Sequence, residues 1–183
     1  MWLLSDPLVT TFLRSFLALL FAGAALSKLR HQEEFVGVVR NFRLMPEALA
    51  APVAAVLPWL ELAVAAGLLV DPALPYAAAG ASGLLMLFAI AMAINVARGR
   101  KAIDCGCFRT GYKQTLSWFL VLRNVALAGA GLVLLGLVDP SRAATWADIA
   151  TGAFAASVAM LLYITFGLLG GVAATARNNG HLA

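Results

Sequence analysis

Charged side chains are scarce in this sequence. Asp, Glu, Lys and Arg together make up 12% of its 183 residues, whereas apolar residues make up 62%. Such a composition leaves too little polar surface to coat a soluble globule. It therefore excludes an ordinary water-soluble domain and predicts that the chain lies in a lipid bilayer.

Cysteine and histidine are also rare, with two of each. Because Cys105 and Cys107 are the only cysteines, the one disulfide that the chain can form within itself joins these two residues. Two thiolates need two further donors for a closed tetrahedral metal site, and only His31, His181 and carboxylates such as Asp104 are available. We therefore predict no metal site within the chain itself.

Five apolar stretches reach the length of roughly 20 residues that a helix needs to cross the hydrocarbon core. Since backbone polar groups in lipid must be satisfied internally, we predict that all five are α-helices. The predicted fold is an all-α integral membrane bundle, formed by a single domain over residues 1–183 without a linker. The spans lie at about residues 8–27, 49–70, 74–97, 116–138 and 149–172.

Lys and Arg are concentrated on one side of the predicted bundle. Ten of the thirteen fall in the first loop, the third loop or the C-terminal tail, against Arg142 alone on the other side. The positive-inside rule then predicts an inner-membrane protein with its N-terminus outside and the cysteine loop in the cytoplasm. Anionic lipid is a sufficient partner for the net charge of +4, so no nucleic acid is expected.

The loop between the first two spans contains its own apolar pattern. Phe35, Val38, Val39 and Phe42 recur at helical spacing among charged residues. This pattern predicts an amphipathic helix that lies on the membrane surface and is closed by Pro46.

Several polar side chains fall inside the predicted spans. A charge at the centre of a membrane helix costs at least about 2.5 kcal/mol, so these residues need partners. At about 1.5 Å per residue, Arg14 and Arg123 lie close enough in depth to Glu61 to reach its carboxylate. We predict a buried cluster of Arg14, Glu61, Arg123 and Asn124. It is either a proton or ligand site or a packing contact between helices, and packing is the interpretation we favour.

The motif Asp104-Cys105-Gly106-Cys107-Phe108 lies on the polar loop between the third and fourth spans. Neighbouring thiols can exchange two electrons, and a short ring closed through Gly106 would be strained and easily reduced. Nearby Arg and Lys residues favour the thiolate, whereas Asp104 opposes them. Metal ligation and a purely structural role are the alternatives. We favour redox chemistry with Cys105 and Cys107 as catalytic residues, supported by Asp104, Gly106 and Phe108.

The sequence also resembles a known family. The first span from Arg14 to Lys28, followed by Leu60-Glu61-Leu62, is similar to the DoxX-like family of small helical membrane proteins. The cysteine motif with Arg123-Asn124 resembles the MauE branch of that family, the methylamine utilization membrane proteins. The likeness covers essentially the whole chain. One departure is Arg109, where relatives commonly have Gly.

This resemblance implies a four-helix core similar to that of vitamin K epoxide reductase. It also implies a role in the maturation of the small subunit of methylamine dehydrogenase, through disulfide formation, processing or stabilisation, beside a thioredoxin-like MauD-type partner. No cofactor is evident from the residues, and the resemblance leaves a quinone as the one to consider. Cys105 and Cys107 match the family's dithiol. The recurrent polar positions of the family correspond to Arg14, Lys28, Glu61, Arg123 and Asn124.

Two other functions stay open at this point. The implied substrate is periplasmic, whereas the charge bias places the dithiol in the reducing cytoplasm. These two expectations conflict with direct oxidation of the substrate by this chain. A non-catalytic chaperone or anchor would hold its partner through the hairpin from Leu29 to Met45. A small transporter or quinone-binding protein would use a cavity around Glu61. Enzymatic activity, if present, would be that of an accessory thiol-disulfide oxidoreductase.

Overall fold

The chain forms an all-α bundle. The computed structural model describes residues 6–100, 103, 116–137 and 144–180, and within these ranges it contains six α-helices and no β-strand. The helices are α1 (Pro7–Arg30), α2 (Gln32–Phe42), α3 (Glu47–Leu69), α4 (Leu74–Ala97), α5 (Trp118–Leu137) and α6 (Trp146–Gly180), with a 3₁₀ turn at Asp71–Ala73 between α3 and α4.

All helices except α2 are long and apolar enough to cross a membrane. The five predicted spans are therefore confirmed, although their ends differ. The first helix continues to Arg30, and α6 begins at Trp146 and continues to Gly180, beyond the predicted end at residue 172. The start of α1 is fixed by its sequence, because the Asp6 carboxylate accepts a hydrogen bond from the Leu8 N–H at 3.0 Å and Pro7 occupies the first turn.

Four of the helices form the core. Around the ring, α1 packs against α3, α3 against α4 and α4 against α5, and α5 completes the ring by packing against α1. Leu17, Leu68 and Leu134 are fully buried inside this ring. The sixth helix packs on the outside of α1, where Gly152 lies so close to Thr11 that an added Cβ would come within 2.9 Å of its side chain. This arrangement agrees with the predicted four-helix core.

The outer face of the bundle is apolar. On α6, Phe154, Leu161 and Phe166 are each exposed by about two thirds or more. A water-soluble protein rarely exposes apolar side chains on this scale, whereas a hydrocarbon solvent makes it favourable. The distribution of exposed side chains thus supports the membrane assignment made from composition.

The amphipathic helix is present as α2, and it packs against α3. Phe35 is buried, whereas Glu33, Glu34 and Arg40 are exposed. The helix ends earlier than predicted, at Phe42 rather than at Pro46. It stops there because Arg43 adopts a left-handed conformation with φ of 47°, and its N–H donates to the Arg40 carbonyl.

A proline in α3 connects α2 to the bundle. Pro58 is fully buried and has no N–H, so it cannot donate to the Ala54 carbonyl one turn earlier. The Gln32 side chain at the start of α2 donates to this carbonyl instead, at 3.2 Å. The first turn of α2 is thereby held against the middle of α3.

Candidate functional site

A buried ion pair joins α1 to α3. Lys28 Nζ lies 2.6 Å from Glu61 Oε1 and 2.8 Å from Oε2, so the ammonium donates to both carboxylate oxygens. The side chains are 5% and 1% exposed. Each of these buried charges needs the other as its counter-charge, because an unpaired charge in a low-dielectric interior is strongly unfavourable.

Aromatic rings complete the surroundings of the Lys28 ammonium. The centroids of Phe35 on α2 and Phe88 on α4 both lie 5.5 Å from Nζ. This distance is within the range in which a ring face attracts a cation. Residues from α1, α2, α3 and α4 therefore meet at this one charged atom.

The structure corrects the predicted partner of Arg14. Arg14 does not reach Glu61 but donates to Asp71 Oδ1 at 2.6 Å and to the Leu69 carbonyl at 2.8 Å. Because α1 and α3 run antiparallel, residues early in α1 face the end of α3, and Lys28 near the end of α1 faces Glu61. Depth alone placed Arg14 near Glu61, but Asp71 lies beside it at the same end of the bundle.

Arg123 and Asn124 lie on α5 near Glu61, but the predicted contact of Arg123 with the Glu61 carboxylate is not among the ion pairs of the described residues. They line a small cavity of about 30 Å³ together with Lys28 and Glu61. The Arg123 guanidinium lies 5.0 Å from the centroid of the Tyr163 ring. Asn124 Nδ2 donates to the carbonyl one turn earlier on α5, at 2.9 Å. Lys28, Glu61, Arg123 and Asn124 are called the polar cluster below.

Arg123 is only partly satisfied within the polar cluster. Its Nε is buried and has no hydrogen-bond partner among the described residues. A cavity of about 30 Å³ is large enough for roughly one water molecule. The geometry therefore provides a polar pocket for a small hydrogen-bonding group between Arg123 and the ion pair.

A second, larger cavity lies on the other side of Lys28. It has a volume of about 350 Å³ and is lined by α1, α2, α3 and α4. Its wall is formed by apolar side chains apart from Lys28, and these include Phe35, Phe42, Phe88 and Met92. We call it the apolar cavity. Lys28 thus belongs to the walls of both cavities.

The residues of the cysteine motif, Asp104, Cys105, Gly106, Cys107 and Phe108, lie outside the described residues. In the part of the chain that is described, no three His, Cys, Asp or Glu side chains come together in a way that could hold a metal ion.

The described residues on either side of the cysteine motif, Ile103 and Leu116, pack against the bundle. The Leu116 N–H donates to the Ile103 carbonyl at 3.1 Å, so a hydrogen bond joins the described residues that flank the cysteine loop. Leu116 is buried in an apolar cluster that includes Met92 and Phe42. Met92 and Phe42 also line the apolar cavity. The residues that flank the cysteine loop therefore pack against side chains that line the apolar cavity.

Sequence reasoning missed two of the contacts that matter here. Lys28 is one of the charges that set the topology. The Asp71-Pro72 pair is typical of a tight turn, so its sequence gives no sign that the Asp71 carboxylate pairs with Arg14. The resemblance to the DoxX-like family did mark Lys28 as a recurrent polar position, and this was the available signal for its place beside Glu61.

These features define a multi-pass, all-α membrane protein with a charged cluster buried between its helices. The family model "Methylamine utilisation protein MauE" matches residues 6–138. The chain therefore belongs to the MauE family.

Individual relatives match over nearly the whole chain. The chain is 58% identical to the methylamine utilization protein MauE of Methylorubrum extorquens, over 98% of this chain and 96% of the relative. It is 52% identical to the protein of the same name from Paracoccus denitrificans, over 96% and 95%. The corresponding values for the Methylophilus methylotrophus protein are 42%, 94% and 92%. No solved structure matches the chain.

Proposed function

We propose that the protein is a membrane accessory factor for methylamine utilisation that assists maturation of the small subunit of methylamine dehydrogenase. The relatives are methylamine utilization proteins, which supports the pathway, and the match over more than nine tenths of the chain supports extending it to this protein. The single observation that carries the chemical part is the Cys105-Gly106-Cys107 motif on the loop between α4 and α5.

The proposed reaction is thiol-disulfide exchange. A thiolate of a thioredoxin-like, MauD-type partner attacks the Cys105–Cys107 disulfide, a mixed disulfide forms, and the second thiolate of the partner displaces it. The partner gains a disulfide, and Cys105 and Cys107 are left as two thiols. Electrons thus pass from the partner to this chain, and the client small subunit is reached only through the partner.

The bundle supports this reaction by fixing the base of the loop. The hydrogen bond between Leu116 and Ile103 joins the residues that flank the loop, and Leu116 is buried against α4. A dithiol attached at such a base can meet a partner at the membrane surface without separation of the helices.

The location belongs to the same proposal. The bias of Lys and Arg supports an inner-membrane protein with its N-terminus outside and the loop of Cys105 on the cytoplasmic face. In that orientation the dithiol exchanges with a partner on the cytoplasmic face, and the effect on an exported client is indirect.

The test is a host strain in which both cysteines are replaced, Cys105→Ser with Cys107→Ser. We expect the dehydrogenase small subunit to accumulate with missing or incorrect disulfides, as determined by mass spectrometry of the unreduced protein. The single variant Cys107→Ser should trap a mixed disulfide between Cys105 and the partner, visible on a non-reducing gel. Immunoblotting of the variants must show normal membrane levels. Correctly bridged small subunit in the double variant would refute the exchange reaction.

A second candidate function is supported by α2. This helix buries Phe35 against the bundle but exposes Glu33, Glu34 and Arg40. An exposed charged face on a surface helix suits a non-catalytic anchor for a maturation partner. In that case the double cysteine variant would keep partner binding, whereas reversing the charges of Glu33 and Glu34 would abolish it.

A further inference from the structure

The apolar cavity has the dimensions of a ligand site. Its volume of about 350 Å³ falls within the range of roughly 300–1,000 Å³ that is usual for small-molecule pockets. Among the described residues that line it, Lys28 is the only one with a charge. An apolar chamber with one convergent polar group is the usual form of such a site.

Lys28 can donate into this cavity. An ammonium has three N–H groups, and two of them are directed to the Glu61 oxygens. Both hydrogen bonds that the described part of the chain gives Nζ go to Glu61, so one N–H is left to donate to a ligand. A buried donor of this kind gains free energy when a ligand supplies an acceptor.

The ligand should carry no net charge. The positive charge of Lys28 is already balanced by Glu61 at 2.6 Å, and an anion would have to compete with that carboxylate. A cation would meet the ammonium without any acid in the cavity wall to offset it. An uncharged carbonyl oxygen accepts the third N–H and disturbs neither charge.

Aromatic side chains favour a flat ligand. Phe35, Phe42 and Phe88 all line the cavity, and two of these rings flank the Lys28 ammonium. Ring faces and edges pack well against a planar ring. A planar ring that carries a carbonyl would place that oxygen at Lys28 while its body contacts the phenyl rings.

The cavity is open to the surroundings of the bundle. Three residues of its wall, Leu44, Val53 and Leu87, are 37%, 36% and 56% exposed. Leu87 and Val53 belong to the membrane-crossing helices α4 and α3, so this side of the cavity faces lipid. A molecule dissolved in the bilayer can therefore enter without passing through water.

We propose that the apolar cavity binds a membrane-soluble quinone, with one ring carbonyl accepting the third N–H of Lys28. A quinone is flat, uncharged and carbonyl-bearing, and it reaches the site through the bilayer. This assignment does not depend on the thiol chemistry proposed above, because it concerns binding alone and is tested without any dehydrogenase.

The test compares two tritiated probes on the purified full-length protein in detergent. Decylbenzoquinone carries the ring carbonyls, and decylbenzene has the same tail without them. By equilibrium gel filtration we expect saturable binding of one decylbenzoquinone per chain and roughly tenfold weaker binding of decylbenzene. Equal affinity for both probes would show a general acyl-chain cavity and would overturn the proposal, as would the absence of saturable quinone binding.

Variants locate the site. Ala91→Phe fills the cavity and should weaken decylbenzoquinone binding roughly tenfold or more. If the Ala91→Phe variant does not fold, Val53→Phe at the open side of the cavity is used in its place. The matched control is Ala155→Phe on the exposed face of α6, which should bind as the parent protein does. Parent-like affinity in the cavity-filling variants would overturn the assignment.

The role of the ammonium is tested separately. Replacing both members of the ion pair, Lys28→Met with Glu61→Gln, removes the ammonium donor together with the carboxylate that balances it. We expect this variant to bind the two probes with equal, weak affinity. A retained preference for decylbenzoquinone would show that Lys28 is not the group that recognises the carbonyl.

Discussion

At the scale of single residues, burial makes Lys28 and Glu61 depend on each other. Both are nearly inaccessible, and their mutual hydrogen bonds replace those that water would provide. Arg14 and Asp71 form a pair of the same length, but Asp71 is 83% exposed. Two ion pairs of 2.6 Å should therefore differ greatly in their effect on stability, because screening by solvent is available to only one of them.

Glu61→Gln should strongly destabilise the protein, by about 3–5 kcal/mol, because it leaves the Lys28 ammonium buried without a counter-charge. Reversible unfolding in mixed micelles, followed by tryptophan fluorescence, measures this free energy. The double variant Lys28→Met with Glu61→Gln should recover most of the loss, since it leaves no Lys28 ammonium buried without its counter-charge.

The control for this prediction is Asp71→Asn. Its free energy of unfolding should fall by no more than about 1 kcal/mol, as is usual for an exposed ion pair. If Asp71→Asn proved as costly as Glu61→Gln, or if the double variant were no more stable than Glu61→Gln alone, the importance of burial for this pair would be refuted.

At the scale of helices, α4 and α5 approach each other closely at one glycine. An added Cβ on Gly131 would collide with Ser82 Oγ and would lie 3.4 Å from the Ala78 carbonyl. The Ser82 hydroxyl lies 3.0 Å from both the Ala78 and Ala128 carbonyls and so bridges the two helices. Small residues at such contacts are typical of helices packed in membranes.

Gly131→Ala should therefore destabilise the bundle by about 1–3 kcal/mol, because the Ser82 hydroxyl must move and the helices must separate. The same unfolding measurement in mixed micelles determines the loss. Gly129→Ala is the matched control on the same helix, since nothing lies within 4 Å of its added Cβ. The free energy of unfolding of Gly129→Ala should equal that of the parent protein or slightly exceed it, because alanine favours a helix over glycine. Equal losses in both variants would refute the close contact as the cause.

At the scale of the whole molecule, the sequence was sufficient to predict the helices but not the contacts between side chains of different helices. The lengths of the apolar stretches predicted five spans, and the spacing of Phe35 and Phe42 predicted α2. Both follow from local pattern. The side-chain partner of Glu61 does not follow from local pattern, because it depends on the position of each residue along the antiparallel pair α1 and α3. Arg14 reaches Leu69 and Asp71 at the end of α3, whereas Lys28 reaches Glu61.

The candidate site was predictable to a similar extent. Arg123 and Asn124 are adjacent in sequence and close to Glu61 in depth, so their approach to it could be expected. The apolar cavity could not be expected, because it forms between four helices and its wall includes both the surface helix α2 and the spans α3 and α4. The cysteine motif stays a prediction from sequence, since residues 104–115 lie outside the described part of the chain.

The orientation of the whole molecule can be measured directly. We expect Cys105 and Cys107 to be protected from a membrane-impermeant maleimide in intact spheroplasts and to react after lysis, because the loop carries Arg and Lys residues that are retained in the cytoplasm. A cysteine introduced at the exposed Tyr76, at the opposite end of α4, should react from outside. Labelling of the native pair from outside would reverse the topology and place the dithiol with an exported client.

The position of α2 has an unusual origin. Pro58 leaves the Ala54 carbonyl without its helical donor, and Gln32 takes that place. The group of α3 that holds α2 is thus a main-chain oxygen, which a side-chain replacement at position 54 does not remove. A residue with an N–H at position 58 would donate to this oxygen within α3 and compete with Gln32. The contact between α2 and α3 would then weaken, and with it the part of the cavity wall that α2 forms.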